Sequence, residues 1–464
     1  YLAFGMVPGP RSIFRGIEKL PPGHTLLAGP GRLDAAPREY WRLRFEPDET
    51  LYGEQWVDAV RAKFEEAVRL HLVADVPVGA FLSGGIDSSA VVAEASTASG
   101  GPEAGCGPMQ TFSIGFCEEA FSELPHARVV AERFGTRHTE EVVTPDAAGL
   151  LEELSKFYDE PFADASAVPT YLVSKLAARS VKVVLSGDGG DEAFGGYARY
   201  AHDLREAALR GKLPGWLRRG LLGPAARLWP KADWLPRPLR LKTLLTNLAL
   251  APAAAYANTL SQCRPPLRRR LLGRDLAAGV NGNDPGRPVR DAYSRAPAGD
   301  ALGGMIAADV ATLLPDDFLV KVDRASMACG LEVRPPLLDH ELLELAARVP
   351  SRWKVFRGET KWVFRKACER LLPAEILRRP KQGFEMPIDA WLRGPLRGRF
   401  EDAVLSPRSR AAGLIDRDVA RRLFRRHAAG VGRHGQVLWS LLVLAHWAER
   451  YLAPNPHADV VASR

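Results

Sequence analysis

Trp56, Val60, Phe64 and Val68 recur every four residues, the spacing that keeps apolar side chains on one face of a helix. The pattern then changes to a short continuous apolar run, Val76-Pro77-Val78-Gly79-Ala80-Phe81-Leu82, which leads directly into a Ser/Gly loop. A run of that length bounded by turn residues reads as a buried strand. A helix is expected from Ser88 onward. Further strands are expected at Thr111–Gly115, Thr139–Val143 and Val181–Leu185, with helices over about Leu124–Phe134, Ala147–Tyr158 and Val168–Ala178. Strands alternating with helices predict an α/β fold on a doubly wound parallel sheet. Ligands of such sheets sit beyond the carboxyl ends of the strands. From about Tyr200 to Arg450 the pattern turns mostly helical, broken by a loop, NGNDPGRP, at residues 281–288. Residues 1–45 are rich in Gly and Pro and read as strands and turns, too short a piece for a separate domain. Residues 453–464 read as a frayed tail.

Composition narrows the class. The 464 residues, 46% hydrophobic and 25% charged, have the balance of a globular protein able to bury a large core. No run of about 18 apolar residues suggests a membrane span, and no signal peptide is recognisable. The chain opens at Tyr1, without an initiator Met, and is expected to start inside a longer protein. Cys106, Cys117, Cys263, Cys329 and Cys368 are odd in number and form no CxxC pair. That argues against a disulfide scaffold or zinc ribbon and for a reducing, cytoplasmic location. The net charge is +8, with clusters at Arg268-Arg269-Arg270 and at Arg421, Arg422, Arg425 and Arg426. Aromatic residues do not interleave with them, so they read as solvated helix faces rather than a nucleic-acid surface. A basic balance also suits a small polyanionic substrate such as ATP.

Two glycine-rich loops carry the chemistry. In Ser83-Gly84-Gly85-Ile86-Asp87-Ser88-Ser89, the glycines let the backbone turn tightly and approach an anion. Backbone N–H groups of the loop and of the helix start then point at a phosphate, and Ser83, Ser88 and Ser89 add hydroxyl donors. Asp87 would repel that phosphate unless a cation lies between them, which predicts Mg²⁺. No Lys follows the glycines, so this is not the loop that transfers a γ-phosphoryl group. A grip on pyrophosphate, with attack at the α-phosphorus, fits better. The second loop runs from Leu185 through Ser186-Gly187-Asp188-Gly189-Gly190-Asp191-Glu192 to Tyr197. Its crowded carboxylates call for a bound cation or a raised pKa. Asp191 could complete the Mg²⁺ site with Asp87, and Asp188 could act as a base or position an attacking amine.

The ordered motifs FLSGGIDSS, TFSIGF, DEPFADASAVPTY, VVLSGDGGDEAFGGY, LEVRPPLLDH, GETKWVFRKA and RRPKQGFEMPIDAWL resemble the synthetase part of glutamine-hydrolysing asparagine synthetases, along nearly all of the chain. The resemblance implies an ATP-pyrophosphatase fold with a large helical C-terminal portion over residues 46–452. It makes residues 1–45 the end of a class II glutamine amidotransferase domain whose remainder is not in this sequence. It implies that Leu82, Ser83, Gly84, Gly85, Asp87, Ser88 and Ser89 cradle the ATP phosphates, that Ile114 touches the adenine, and that Ser186 and Gly187 contact ATP. Asp87 and Asp191 would hold Mg²⁺, and Lys381 would stabilise charge near an acyl-adenylate. Glu332 and Arg334 could shape the acid-binding side or form a buried ion pair. The expected reaction is adenylation of the aspartate side chain, followed by attack of ammonia drawn from glutamine or from solution. The same scaffold could instead amidate another small carboxylate, such as a polysaccharide uronate, or serve as a non-catalytic nucleotide-binding module. No nucleic-acid or membrane partner is expected; a homodimer is compatible with the sequence.

Overall fold

The computed structural model describes residues 1–30, 36–98, 107–116, 122–143, 147–229, 240–280, 282–379 and 386–452. Two short strands, β1 (His24–Thr25) and β2 (Arg38–Glu39), pair antiparallel near the start of the chain. Helix α1 (Gly53–His71) follows, and Trp56, Val60, Phe64 and Val68 are all buried, as the four-residue spacing requires.

The central sheet has five parallel strands: β3 (Val78–Phe81), β4 (Gln110–Phe116), β5 (Arg137–Val143), β6 (Val183–Leu185) and β7 (Glu332–Arg334), in the order β5-β4-β3-β6-β7. Strand β3 starts two residues later than its apolar run. Pro77 has no N–H to give to a ladder, and Val76 is exposed. Helices α2 (Ile86–Ala98) and α3 (Leu124–Arg133) make the crossovers from β3 to β4 and from β4 to β5. Helices α4 (Ala147–Phe157) and α5 (Ala167–Ala177) carry the chain from β5 to the far side of β3, where β6 is laid down. The order of strands therefore reverses between β3 and β6, and a crevice opens there at their carboxyl ends.

Strand β7 was not foreseen. The mostly helical pattern expected after Tyr200 is interrupted by these three residues, which pair in register with β6, Leu185 opposite Arg334. Ser186 N–H extends the ladder to the Arg334 carbonyl at 2.9 Å. A three-residue strand has too few positions to show a period, so only its neighbour defines it. Elsewhere the C-terminal half is helical, from Ala198–Lys212 to Gly435–Tyr451. The loop expected at residues 281–288 is shorter, because the helix Arg287–Tyr293 begins inside it with Pro288 in its first turn.

One face of the sheet packs on α1, α2 and the helices His340–Arg348 and Trp362–Cys368; the other packs on α4, α5 and the C-terminal helices. The start of the chain is threaded into this body. Leu2, Phe4 and Met6 are buried, Ala3 C=O accepts from Gln262 N–H, and Gly5 C=O accepts from Ala163 N–H, both at 2.8 Å. Among the described residues, no helix is long and apolar enough to cross a membrane.

Candidate active site

The first loop leaves β3 and enters α2 through Ser83–Gly85. Gly84 has φ +69°, and a Cβ there would stand 2.6 Å from the His126 backbone, so both the left-handed turn and the close approach require glycine. The Ser83 and Ser88 hydroxyls lie 2.9 Å apart, and Ser83 Oγ accepts from Gly85 N–H at 3.3 Å. Beneath them, Leu82 N–H donates to Phe112 C=O at 3.0 Å, and the Ser113 hydroxyl donates to Leu82 C=O. These bonds tie the loop to β4.

The second loop leaves β6, the adjacent strand, and folds onto the first. A Cβ on Gly187 would lie 2.6 Å from Ser88 N, and one on Gly190 would lie 2.5 Å from Asp87 Oδ1. The glycines of one loop are thus the clearance for the acid of the other. Asp87 and Asp191 converge on one cation, the Lys361 ammonium, which bonds Asp87 Oδ2 and sits 2.9 Å from Asp191 Oδ1. Burial opposes the charge on Lys361, but Asp191 and Asp87 outweigh it and hold the ammonium above the ordinary lysine range. Lys361 caps the helix Trp362–Cys368 with φ +56°, a left-handed conformation that costs a non-glycine residue about 1–2 kcal/mol. A strained backbone that delivers a buried charge to two acids is the kind of outlier found at working sites.

A second charged pair borders the same space. Lys321 Nζ is 2.9 Å from Asp164 Oδ2 and from the Ser166 hydroxyl. Burial disfavours charge on both partners, yet their mutual attraction lowers the Asp164 pKa and raises that of Lys321. Opposite, Arg379 bonds Glu123 at 2.8 Å and donates to Ser83 C=O at 3.2 Å.

These groups line a cavity of about 1070 Å³, large enough for a nucleotide and a second small substrate. Leu82, Ser83, Gly85, Asp87, Ser88, Ile114, Ser186, Gly187, Asp188 and Asp191 all face it. Asp188 accepts from the Ser186 hydroxyl at 2.8 Å. Gly84 shapes the loop from behind. Ser89 is fully buried one turn along α2; its N–H donates to Gly85 C=O, and its hydroxyl meets no partner among the described residues. Lys381 lies outside the described residues. Glu332 and Arg334 are neither a buried pair nor part of the cavity. They pair at 2.6 Å with Glu332 exposed, and Arg334 also donates to the His71 and Val73 carbonyls.

Sequence reasoning assigned no role to Lys361, Asp164 or Arg379. Lys361 stands in GETKWVFRKA and Arg379 in RRPKQGF, so the motifs were visible. Their targets were not, because Lys361 lies 274 residues from Asp87 and Arg379 lies 256 from Glu123.

A parallel sheet whose crevice is bounded by two glycine-rich, acid-bearing loops is an α/β nucleotide fold of the ATP-pyrophosphatase type. The family model described as asparagine synthase matches residues 59–449, and the chain belongs to that family. A putative glutamine-hydrolysing asparagine synthetase of Mycobacterium tuberculosis is 36% identical over 96% of this chain and 66% of its own length. Asparagine synthetase [glutamine-hydrolyzing] 1 of Bacillus subtilis is 31% identical over 96% of this chain and 67% of its own. A more distant relative, the amidase chyE of Penicillium rubens, is 26% identical over 90% of this chain and 67% of its own. The chain thus spans about two thirds of the length of the curated relatives it matches. The chemistry of that family is ATP-dependent amidation.

Proposed function

We propose that this chain makes an amide from the side-chain carboxylate of aspartate in two steps at the β3/β6 crevice. The supporting observation is the convergence of Asp87 and Asp191, from two separate loops, on the Lys361 ammonium. ATP lies with its phosphates on Ser83–Ser88 and its adenine against Ile114. The carboxylate attacks the α-phosphorus, pyrophosphate leaves, and β-aspartyl-AMP forms. Ammonia then attacks the acyl carbon, and AMP departs with asparagine as product. Activation turns a poor leaving group into a good one, and the protein supplies alignment and charge stabilisation.

Each residue has a part. Asp188, oriented by Ser186, positions the amine or accepts its proton. Lys321 and Arg379 face the acid substrate and the phosphates with fixed positive charge, and Lys381 adds a charge near the acyl-phosphate. Asp87 and Asp191 fit Mg²⁺, since two carboxylates already drawn to one cation are the sparse oxygen set this ion takes beside phosphates. When bound, Mg²⁺ would neutralise phosphate charge. Where a glutaminase domain accompanies these residues, glutamine would supply the ammonia, and residues 1–45 would belong to that domain.

The test is pyrophosphate release from ATP and Mg²⁺, with aspartate and ammonium added separately and together. Aspartate-dependent release is expected, with a loss of about 100-fold or more in Asp87→Ala. Release that ignores aspartate and follows another acid, such as a uronate, would move the reading to that acceptor. No release with any acid would leave a nucleotide-binding module.

A further inference from the structure

Outside the cleft, the helix Ala198–Lys212 carries His202, Asp203 and Glu206, and one ligand atom of each lies within 4.8 Å of the others. The two acids are buried, 8% and 4% exposed, while the imidazole stands at the surface. His202 Nδ1 is 3.2 Å from Asp203 Oδ1 and 3.8 Å from Glu206 Oε1. Tetrahedral ligands with bonds of about 2.0–2.1 Å stand about 3.3 Å apart, so this is the spacing of donors around one ion.

The surroundings point the same way. Asn247 Nδ2 donates to Glu206 Oε2 at 2.9 Å, and the Thr259 hydroxyl donates to Asp203 Oδ1 at 3.5 Å. Such outer bonds orient ligands. The other two carboxylate oxygens, Asp203 Oδ2 and Glu206 Oε1, are buried with no hydrogen-bond partner among the described residues, a costly state for an acid. A cavity of about 10 Å³, lined by Asp203 and Glu206 but not by His202, adjoins the acids, room for a single ion or water. Of the arginines nearby, Arg210 donates to Asn247 C=O, and Arg199 pairs with Asp309.

We propose that His202, Asp203 and Glu206 form a second metal site, separate from the nucleotide cleft, for a divalent ion of the zinc class with water as the fourth ligand. An imidazole with two carboxylates favours such a borderline ion over Mg²⁺. The test is calorimetric titration of the metal-stripped chain with Zn²⁺ alone, together with visible absorption of its Co²⁺ form. One Zn²⁺ is expected to bind both the unaltered chain and Asp87→Ala, and to bind at least about 10-fold more weakly in His202→Ala and Glu206→Gln. The tetrahedral Co²⁺ absorption should disappear in His202→Ala. Because the His202 side chain is 65% exposed, that variant keeps its packing. No Zn²⁺ binding, equal binding in His202→Ala, or binding lost only in Asp87→Ala would each overturn the proposal.

Discussion

Gly196 shows how little room the site leaves. A Cβ there would stand 2.0 Å from both Asp191 Oδ1 and Lys361 Cε. Gly196→Ala must therefore displace the acid, the ammonium or the loop, and a shift of about 1 Å at such a site costs about 100-fold in rate. ATP–pyrophosphate exchange in that variant should fall by at least that factor while the chain remains folded. Lys361 is the complementary case. Lys361→Met leaves Asp87 and Asp191 facing each other without their shared cation, and breaking a buried pair in this way costs about 3 kcal/mol. Urea unfolding should show a loss of that size; an unchanged midpoint would mean that the two acids are solvated well enough without the ammonium. At this scale the sequence was half legible. The glycines and acids of both loops stand in local motifs whose chemistry follows from adjacency. The ion pairs they make do not, because their partners lie hundreds of residues away.

At the scale of elements, the two loops owe their meeting to β3 and β6 being neighbours. Strands β3, β4, β5 and β6 and the helices between them were readable from apolar runs and four-residue spacing, with ends displaced by one or two residues where Pro77 or a cap intervened. Strand β7 was not readable, since Glu332-Val333-Arg334 becomes a strand only because β6 offers it an open edge. The chain leaving β7 passes through Pro336–Leu338 to the helix His340–Arg348, and Asp339 caps that helix by accepting from Glu341 N–H at 3.0 Å and Leu342 N–H at 3.2 Å. Leu338 packs where a Cβ on Gly189 would fall, so this turn backs the second loop. Asp339→Ala should cost about 1 kcal/mol of stability, the usual value of a lost N-cap, when measured by chemical denaturation. A loss below a few tenths of a kcal/mol would show that packing alone holds the turn.

Across the whole molecule, the C-terminal helices close one face of the sheet, and their burial sets a pH dependence. His446, on the helix Gly435–Tyr451, is 5% exposed. Burial, then the Arg399 guanidinium, lowers its pKa to about 4. The unfolded chain would protonate this group near pH 6.5. Between those values the unfolded state binds the extra proton, so stability is present in full above about pH 6.5 and is lost as the pH falls towards 4. The amount is about 3 kcal/mol. His446→Phe should flatten the stability profile over that window by up to one proton, read as a shallower slope of unfolding free energy against pH. An identical slope in both proteins would place the acid sensitivity in other groups.

The sequence by itself determined that the chain is an α/β protein with two glycine-rich, acid-bearing loops at strand ends, and which family it resembles. Those features depend on neighbouring residues: the alternation of apolar runs, glycines where a backbone must turn, acids where a cation is needed. Only the tertiary structure decided that Lys361 is the cation between Asp87 and Asp191, that Arg379 and Lys321 face the same cavity, that Ser89 stands behind it, and that Glu332 and Arg334 form the sheet's edge away from it. These depend on which strands pair and which faces pack, and that is settled by the burial of the whole core rather than by any local stretch of chain.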